Sequence, residues 1–183
     1  MQLVDTFLTF DIRSLPAQLN LLIRKVNLSH NELVEVGPNS FASQTVDLSF
    51  NKISLVREAA FKAESALNIN LDSNLLTSNS IQHGFIRSFQ KLGELSLNIF
   101  LNNNQIQYLD EDVFRDLLSS SATSISLDGN AIQCNCRVKW LLDAKRFDRA
   151  WATLYPRVEG AKCTDGNDLI KEYYNPDLSN CGK

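Results

Sequence analysis

The feature that most constrains this chain is an eleven-residue frame that occurs five times between Ile23 and Ile132. Its copies are IRKVNLSHNEL (Ile23 to Leu33), SQTVDLSFNKI (Ser43 to Ile53), ALNINLDSNLL (Ala66 to Leu76), SLNIFLNNNQI (Ser96 to Ile106) and ATSISLDGNAI (Ala122 to Ile132). The fourth position is Val26, Val46, Ile69, Ile99 or Ile125, and the sixth is always leucine: Leu28, Leu48, Leu71, Leu101 and Leu127. Asparagine fills the ninth (Asn31, Asn51, Asn74, Asn104, Asn130), and an aliphatic residue the eleventh (Leu33, Ile53, Leu76, Ile106, Ile132). Alternation through positions four to six predicts a short strand with one buried face, for which β-branched residues suit position four. One copy cannot bury its own apolar side, so the copies must stack. The asparagines, able to donate and accept, would then form a ladder that satisfies backbone groups where the chain leaves each strand.

This LxxLxLxxNxL frame resembles the leucine-rich repeat family. The resemblance implies an α/β solenoid: a right-handed superhelix with a parallel concave sheet and short convex helices or turns. We divide the chain into an N-terminal partial cap or edge strand (1–22), five repeats (23–42, 43–65, 66–95, 96–121 and 122–132) and a C-terminal cap (133–183).

Successive ladder asparagines are 20, 23, 30 and 26 residues apart. Phe41, Phe61 and Phe114 recur at the nineteenth position of their repeats and should stack inside the convex side, with Phe85 displaced by one place. The longest return, Ser80 to Leu92, spaces Ile81, Phe85, Phe89 and Leu92 as a short helix would. Asp110, Glu111 and Asp112 before Val113, Phe114 and Leu117 read as the cap and acidic first turn of another. The remaining returns look too short for more than a turn or a 3₁₀ segment.

All four cysteines, Cys134, Cys136, Cys163 and Cys181, follow the last ladder asparagine. Pairing Cys134 with Cys136 would close a strained ring, so each should reach a distant partner, which leaves two pairings open. Zinc is the rival use, but CxC lacks the spacing of common structural zinc sites. CxC followed by RVKWLLDAKRF resembles the C-terminal cap of extracellular leucine-rich repeat proteins, which implies Cys134 with Cys163 and Cys136 with Cys181. Disulfides imply an oxidising compartment, hence a secreted protein or an ectodomain. Met1 opens no signal peptide, because QLVDTFLTFD is acidic and alternating, and it reads as a fragment start.

Charge and composition narrow the function. The net charge is −3 over 183 residues, with nine basic and fourteen acidic residues up to Ile132 and nine basic and seven acidic after it. Neither part has the basic excess that phosphate-backbone binding needs, so no nucleic-acid partner is expected. No apolar run is long enough for a membrane span. With only two histidines, His30 and His83, and no P-loop, GxGxxG or HExxH, we expect no catalytic residues, no metal site and no cofactor.

Surface remains. Positions three, five and seven point away from the core: Lys25, Asn27 and Ser29; Thr45, Asp47 and Ser49; Asn68, Asn70 and Asp72; Asn98, Phe100 and Asn102; Ser124, Ser126 and Asp128. Five strands make a face about 20 to 25 Å across, matched to a protein partner. Phe100 is a candidate anchor, or else a cross-strand partner of Asn70 and Ser126; Phe50 lies on the rim. Asn27-Leu28-Ser29 is the one N-glycosylation sequon, or simply this repeat's version of the strand. The expectation is a non-enzymatic protein-binding module of a secreted or cell-surface protein. The alternatives are a structural or accessory subunit, and a cytosolic repeat module with reduced cysteines.

Overall fold

A computed structural model describes residues 24–61, 67–81, 96–119, 123–147, 158–169 and 181. The proposed N-terminal edge strand, the helix between Ser80 and Leu92 with Phe85, and the segment Trp151 to Tyr155 therefore fall wholly or largely outside the described residues.

Each copy of the frame forms one strand of a parallel sheet: β1 (Lys25–Asn27), β3 (Thr45–Asp47), β5 (Leu67–Asn70), β6 (Leu97–Phe100) and β7 (Thr123–Ser126), with β2 (Glu35–Val36) and β4 (Leu55–Val56) lying in the intervening returns. The register superimposes the frame on itself: Val26 faces Val46, then Ile69, Ile99 and Ile125 in succession. These five are buried, as are Leu48, Leu71, Leu101 and Leu127 at position six and all five aliphatics at position eleven. Each such side chain taken out of water contributes about 1.5 to 3 kcal/mol, and none could be covered within its own copy.

The asparagine ladder closes each turn. Asn74 Nδ2 donates to Leu48 O (3.0 Å), Leu71 O (3.1 Å) and Asp72 O (3.2 Å), while its Oδ1 accepts from Ile53 N (2.9 Å). Asn51, Asn104 and Asn130 repeat this pattern, each accepting from the position-eleven N–H of the preceding copy. Asn31, at the start of the described array, makes two local bonds, to Leu28 O and Ser29 O, and no cross-repeat bond among the described residues. Position eight, just before each asparagine, is always left-handed: His30, Phe50, Ser73, Asn103 and Gly129 have φ between 53° and 71°. That conformation swings the chain out of the strand and aims the next side chain inward. Gly129 adopts this conformation without strain, whereas the other four copies hold a residue with a Cβ there; a Cβ at Gly129 would lie 2.2 Å from Asn103 Oδ1, so the exposed Asn103 side chain would have to move.

The returns hold more structure than a turn. β2 (Glu35–Val36) and β4 (Leu55–Val56) pair in parallel as a second, two-stranded sheet, and Phe41 bridges to Phe61 with ring centroids 5.8 Å apart. This corrects the expectation of bare turns. The first two copies have returns of matching geometry, with left-handed Asn39 and Ala59 at equivalent places, so their backbones meet in register. Helix α1 (Glu111–Ser119) forms where the acidic triplet marks it, with Asp110 O accepting from Val113 N and Phe114 N, and with Val113, Phe114 and Leu118 buried.

Beyond Ile132 a 3₁₀ turn (Cys136–Val138), N-capped by the Asn135 side chain, leads into α2 (Lys139–Phe147). Trp140, Leu141 and Leu142 are buried against the last turn, and Trp140 Nε1 donates to Leu109 O at 2.9 Å. Disulfides join Cys134 to Cys163 and Cys136 to Cys181. A further strand, β8 (Val158–Glu159), pairs with β7, Ile125 opposite Val158, so among the described residues the sheet has six strands rather than five. The cap thus ends the array in two ways: it covers the last rung with apolar side chains and occupies the open edge of β7.

Candidate functional site

The outward positions align into three columns across the sheet. At position three, Asn98 Nδ2 donates to Asn68 Oδ1 (2.8 Å) and Ser124 Oγ donates to Asn98 Oδ1 (2.6 Å), linking three strands through side chains. Position seven is more tightly bound. Asp72 accepts from Asn102 N at 2.7 Å and from Asn102 Nδ2 at 3.2 Å; Asn102 Oδ1 in turn accepts from Ser126 Oγ (2.7 Å) and Asp128 N (2.8 Å). At the β1 end, Asn27 Oδ1 accepts from Ser29 N and Oγ, and Asp47 Oδ1 from Ser49 N and Oγ. Asn70 Oδ1 takes Asp72 N in the same way.

Most of the polar side chains on this face are therefore bonded to one another, and their exposure varies. Lys25, Asn27 and Asp128 are exposed; Ser29, Thr45, Asp47, Asn68, Asn70, Asp72, Asn98, Asn102, Ser124 and Ser126 are half-buried. Ser49 departs from the expected outward surface: it is buried, at 4%, because its short hydroxyl folds back onto Asp47 between half-buried Ser29 and Asp72. Phe100 stands 39% exposed in the middle column, in register with Asn70 on one side and Ser126 on the other.

Phe50, 52% exposed, lies in the left-handed column beside the face and stacks on His30 with centroids 4.4 Å apart and planes 6° from parallel. Sequence reasoning placed Phe50 on the rim but missed this partner, although both occupy position eight of adjacent copies. It also missed Lys162, whose Nζ is 3.7 Å from Asp128 Oδ1, and Glu159, brought opposite Ser126 by β8. No repeat pattern extends into the cap to reveal them.

Elsewhere, a cleft of about 630 Å³ runs between the start of α1 (Asp110, Glu111, Asp112) and the cap residues Arg137 and Trp140. Its basic wall is engaged: the Arg137 guanidinium lies 4.0 Å from the Tyr108 ring centroid. In the second sheet, the Arg57 guanidinium is held above its ordinary value by its hydrogen bond to Glu35 and then by that carboxylate's charge. Among the described residues no cluster of three potential metal ligands occurs, and no helix is long and apolar enough to cross a membrane.

Parallel rungs, an inward asparagine ladder and a cysteine-bridged terminal cap make this a leucine-rich repeat solenoid of the type with a disulfide-bonded C-terminal cap. No protein-family model matches the sequence, and no curated protein does. Among solved structures the chain is similar to one in the crystal structure of the mouse RP105/MD-1 complex, with a TM-score of 0.44 and 16% identity over 81% of this chain and 28% of that one. It is also similar to human 5T4 (Wnt-activated inhibitory factor 1, trophoblast glycoprotein), with a TM-score of 0.32 and 14% identity over 90% of this chain and 89% of that one. The chain thus spans little more than a quarter of the length of the first.

Proposed function

We propose that this chain is a non-enzymatic protein-binding module of a secreted or cell-surface protein, with its partner seated on the sheet face around Phe100. In this reading the repeats over 23–132 carry the face and 133–183 seal it. One observation carries the proposal: an exposed aromatic ring stands in the middle of a face whose polar groups are bonded to each other. Binding to such a face costs little side-chain ordering, because the order already exists, and a rigid surface with one apolar anchor suits a protein partner. As a cross-strand partner, Phe100 would gain little, since Asn70 and Ser126 beside it are polar. Both disulfides support an oxidising, extracellular location.

The test is a screen of the oligomerised chain against secreted and cell-surface proteins, followed by affinity measurement on variants. Phe100→Ala should weaken binding at least about tenfold. Gln105→Arg, a change at an exposed residue beyond the ladder asparagine and outside the outward columns, should leave it unaltered. The opposite ranking would move the contact off the sheet face and favour a role as a structural subunit.

A further inference from the structure

We propose that Asn27 carries an N-linked glycan that screens the β1 end of the sheet face and leaves the Phe100 region open. The inference rests on the extracellular reading given above. Asn27-Leu28-Ser29 is the one sequon in the chain, and the structure sets its asparagine apart from the ladder asparagines. Asn27 is exposed on the strand that begins the described sheet order. Its Oδ1 accepts from Ser29 N at 2.9 Å and from Ser29 Oγ at 2.8 Å, while among the described residues its Nδ2 donates no hydrogen bond. The contrast with Asn51 is direct, for Asn51 Nδ2 donates to three carbonyls and is buried.

Glycosylation uses the atom that is unengaged. With a lipid-linked oligosaccharyl diphosphate as donor, the Nδ2–C1 bond forms as the C1–O bond to the diphosphate breaks. The lipid diphosphate leaves with the bonding electrons, and Nδ2 gives up one of its two protons. Oδ1 takes no part, so both bonds from Ser29 persist in the product. A bulky hydrated sugar at this point lies over β1 and its neighbour β3. Phe100 is three strands away in the sheet order, about 14 Å at ordinary strand spacing.

The experiment expresses the full chain behind a secretory leader in a eukaryotic cell. The secreted product is treated with peptide:N-glycosidase in heavy-oxygen water, and the tryptic peptide from Val26 to Lys52 is read by mass spectrometry. The expected result is Asn27 converted to isotopically labelled aspartate, a mass shift lost in Asn27→Gln and Ser29→Ala and kept in Ser29→Thr. Asn27→Gln should unfold at the temperature of the enzymatically deglycosylated chain, since among the described residues this side chain bonds only to Ser29. Secreted, disulfide-bonded protein with Asn27 unmodified overturns the glycan alone; chain retained in the cell with free thiols overturns the extracellular reading and the glycan with it. Oxidative footprinting supplies the second arm. Phe100 should be as reactive with the glycan as without it, and protection of Phe100 by the glycan would refute the screening of only the β1 end.

Discussion

Replacing Asn74 by alanine isolates what the ladder contributes. The side chain is 4% exposed and makes four hydrogen bonds, but its loss is not four equal losses. Leu48 O still accepts from Asn51 Nδ2, Leu71 O from Asn104 Nδ2, and Asp72 O from Phe50 N. Only the Ile53 N–H, in a fully buried residue, loses its partner. An orphaned buried donor costs about 1 to 3 kcal/mol, and the void left by the carboxamide adds to it, giving about 2 to 4 kcal/mol in all. Asn31→Ala, at a half-buried residue whose Oδ1 takes no cross-repeat bond among the described residues, should cost about 1 kcal/mol or less. Asn74→Asp should be worse than either, because it keeps the acceptor for Ile53 but aims a carboxylate at three carbonyl oxygens.

Urea unfolding with the disulfides intact gives the ranking, and amide hydrogen exchange gives the mechanism. The Ile53 amide should lose protection in Asn74→Ala beyond the global change, while Leu33, which bonds to Asn51, should follow the global change only. An Ile53 amide that stays protected, or an Asn31→Ala variant as unstable as Asn74→Ala, would refute the account of the ladder as cross-repeat donor satisfaction.

Other outcomes follow from single contacts. Gly129→Ala puts a Cβ at a φ of +71° and displaces the exposed Asn103 side chain, and calorimetry should show a loss of about 1 to 2 kcal/mol. Trp140→Phe removes the donor to Leu109 O and should cost about 1 to 3 kcal/mol by the same method, whereas Phe100→Ala should cost under about 1 kcal/mol. Replacing Cys134 and Cys163 together by serine opens a closure of 29 residues, for which chain entropy predicts a loss of about 3.5 kcal/mol in thermal unfolding under oxidising conditions.

How much of this was legible in the sequence depends on repetition. Val26, Leu48, Asn74 and Ile106 could be placed because each belongs to a column seen five times, and a column fixes burial without any knowledge of tertiary contacts. The cysteine pairing came from resemblance to a cap, and both predicted bridges are present. What sequence missed lies where columns stop or where contacts run across them. Val158 and Glu159 form a two-residue strand with no frame around it, and β2 and β4 are equally short. Ser49 was misjudged because alternation sets the direction of a Cβ and not where a hydroxyl bends. The bonds of Asn102 to Asp72, Ser126 and Asp128 need the register across strands 24 to 30 residues apart, which unequal returns conceal.

The ladder and the face are not separate systems, and their junction decides where affinity can be distinguished from stability. Ser49, Asp72, Asn102 and Asp128 occupy position seven, and the carbonyl of each accepts from the ladder asparagine two residues on. Each of those carbonyls also accepts from the left-handed residue of the preceding copy. The side chains of Ser49, Asp72 and Asn102 are hydrogen-bonded as well, and the Asp128 carboxylate faces Lys162, so these residues are held at both the backbone and the side chain. The face is rigid because the fold's own rungs end in it, and substitutions at position seven should therefore weaken folding and binding together. Phe100 differs, since it is at position five with a ring exposed to solvent. If the sheet face binds a partner, Phe100→Ala is the change that should separate the two, lowering affinity while the unfolding midpoint holds, whereas Asp72→Ala should move both.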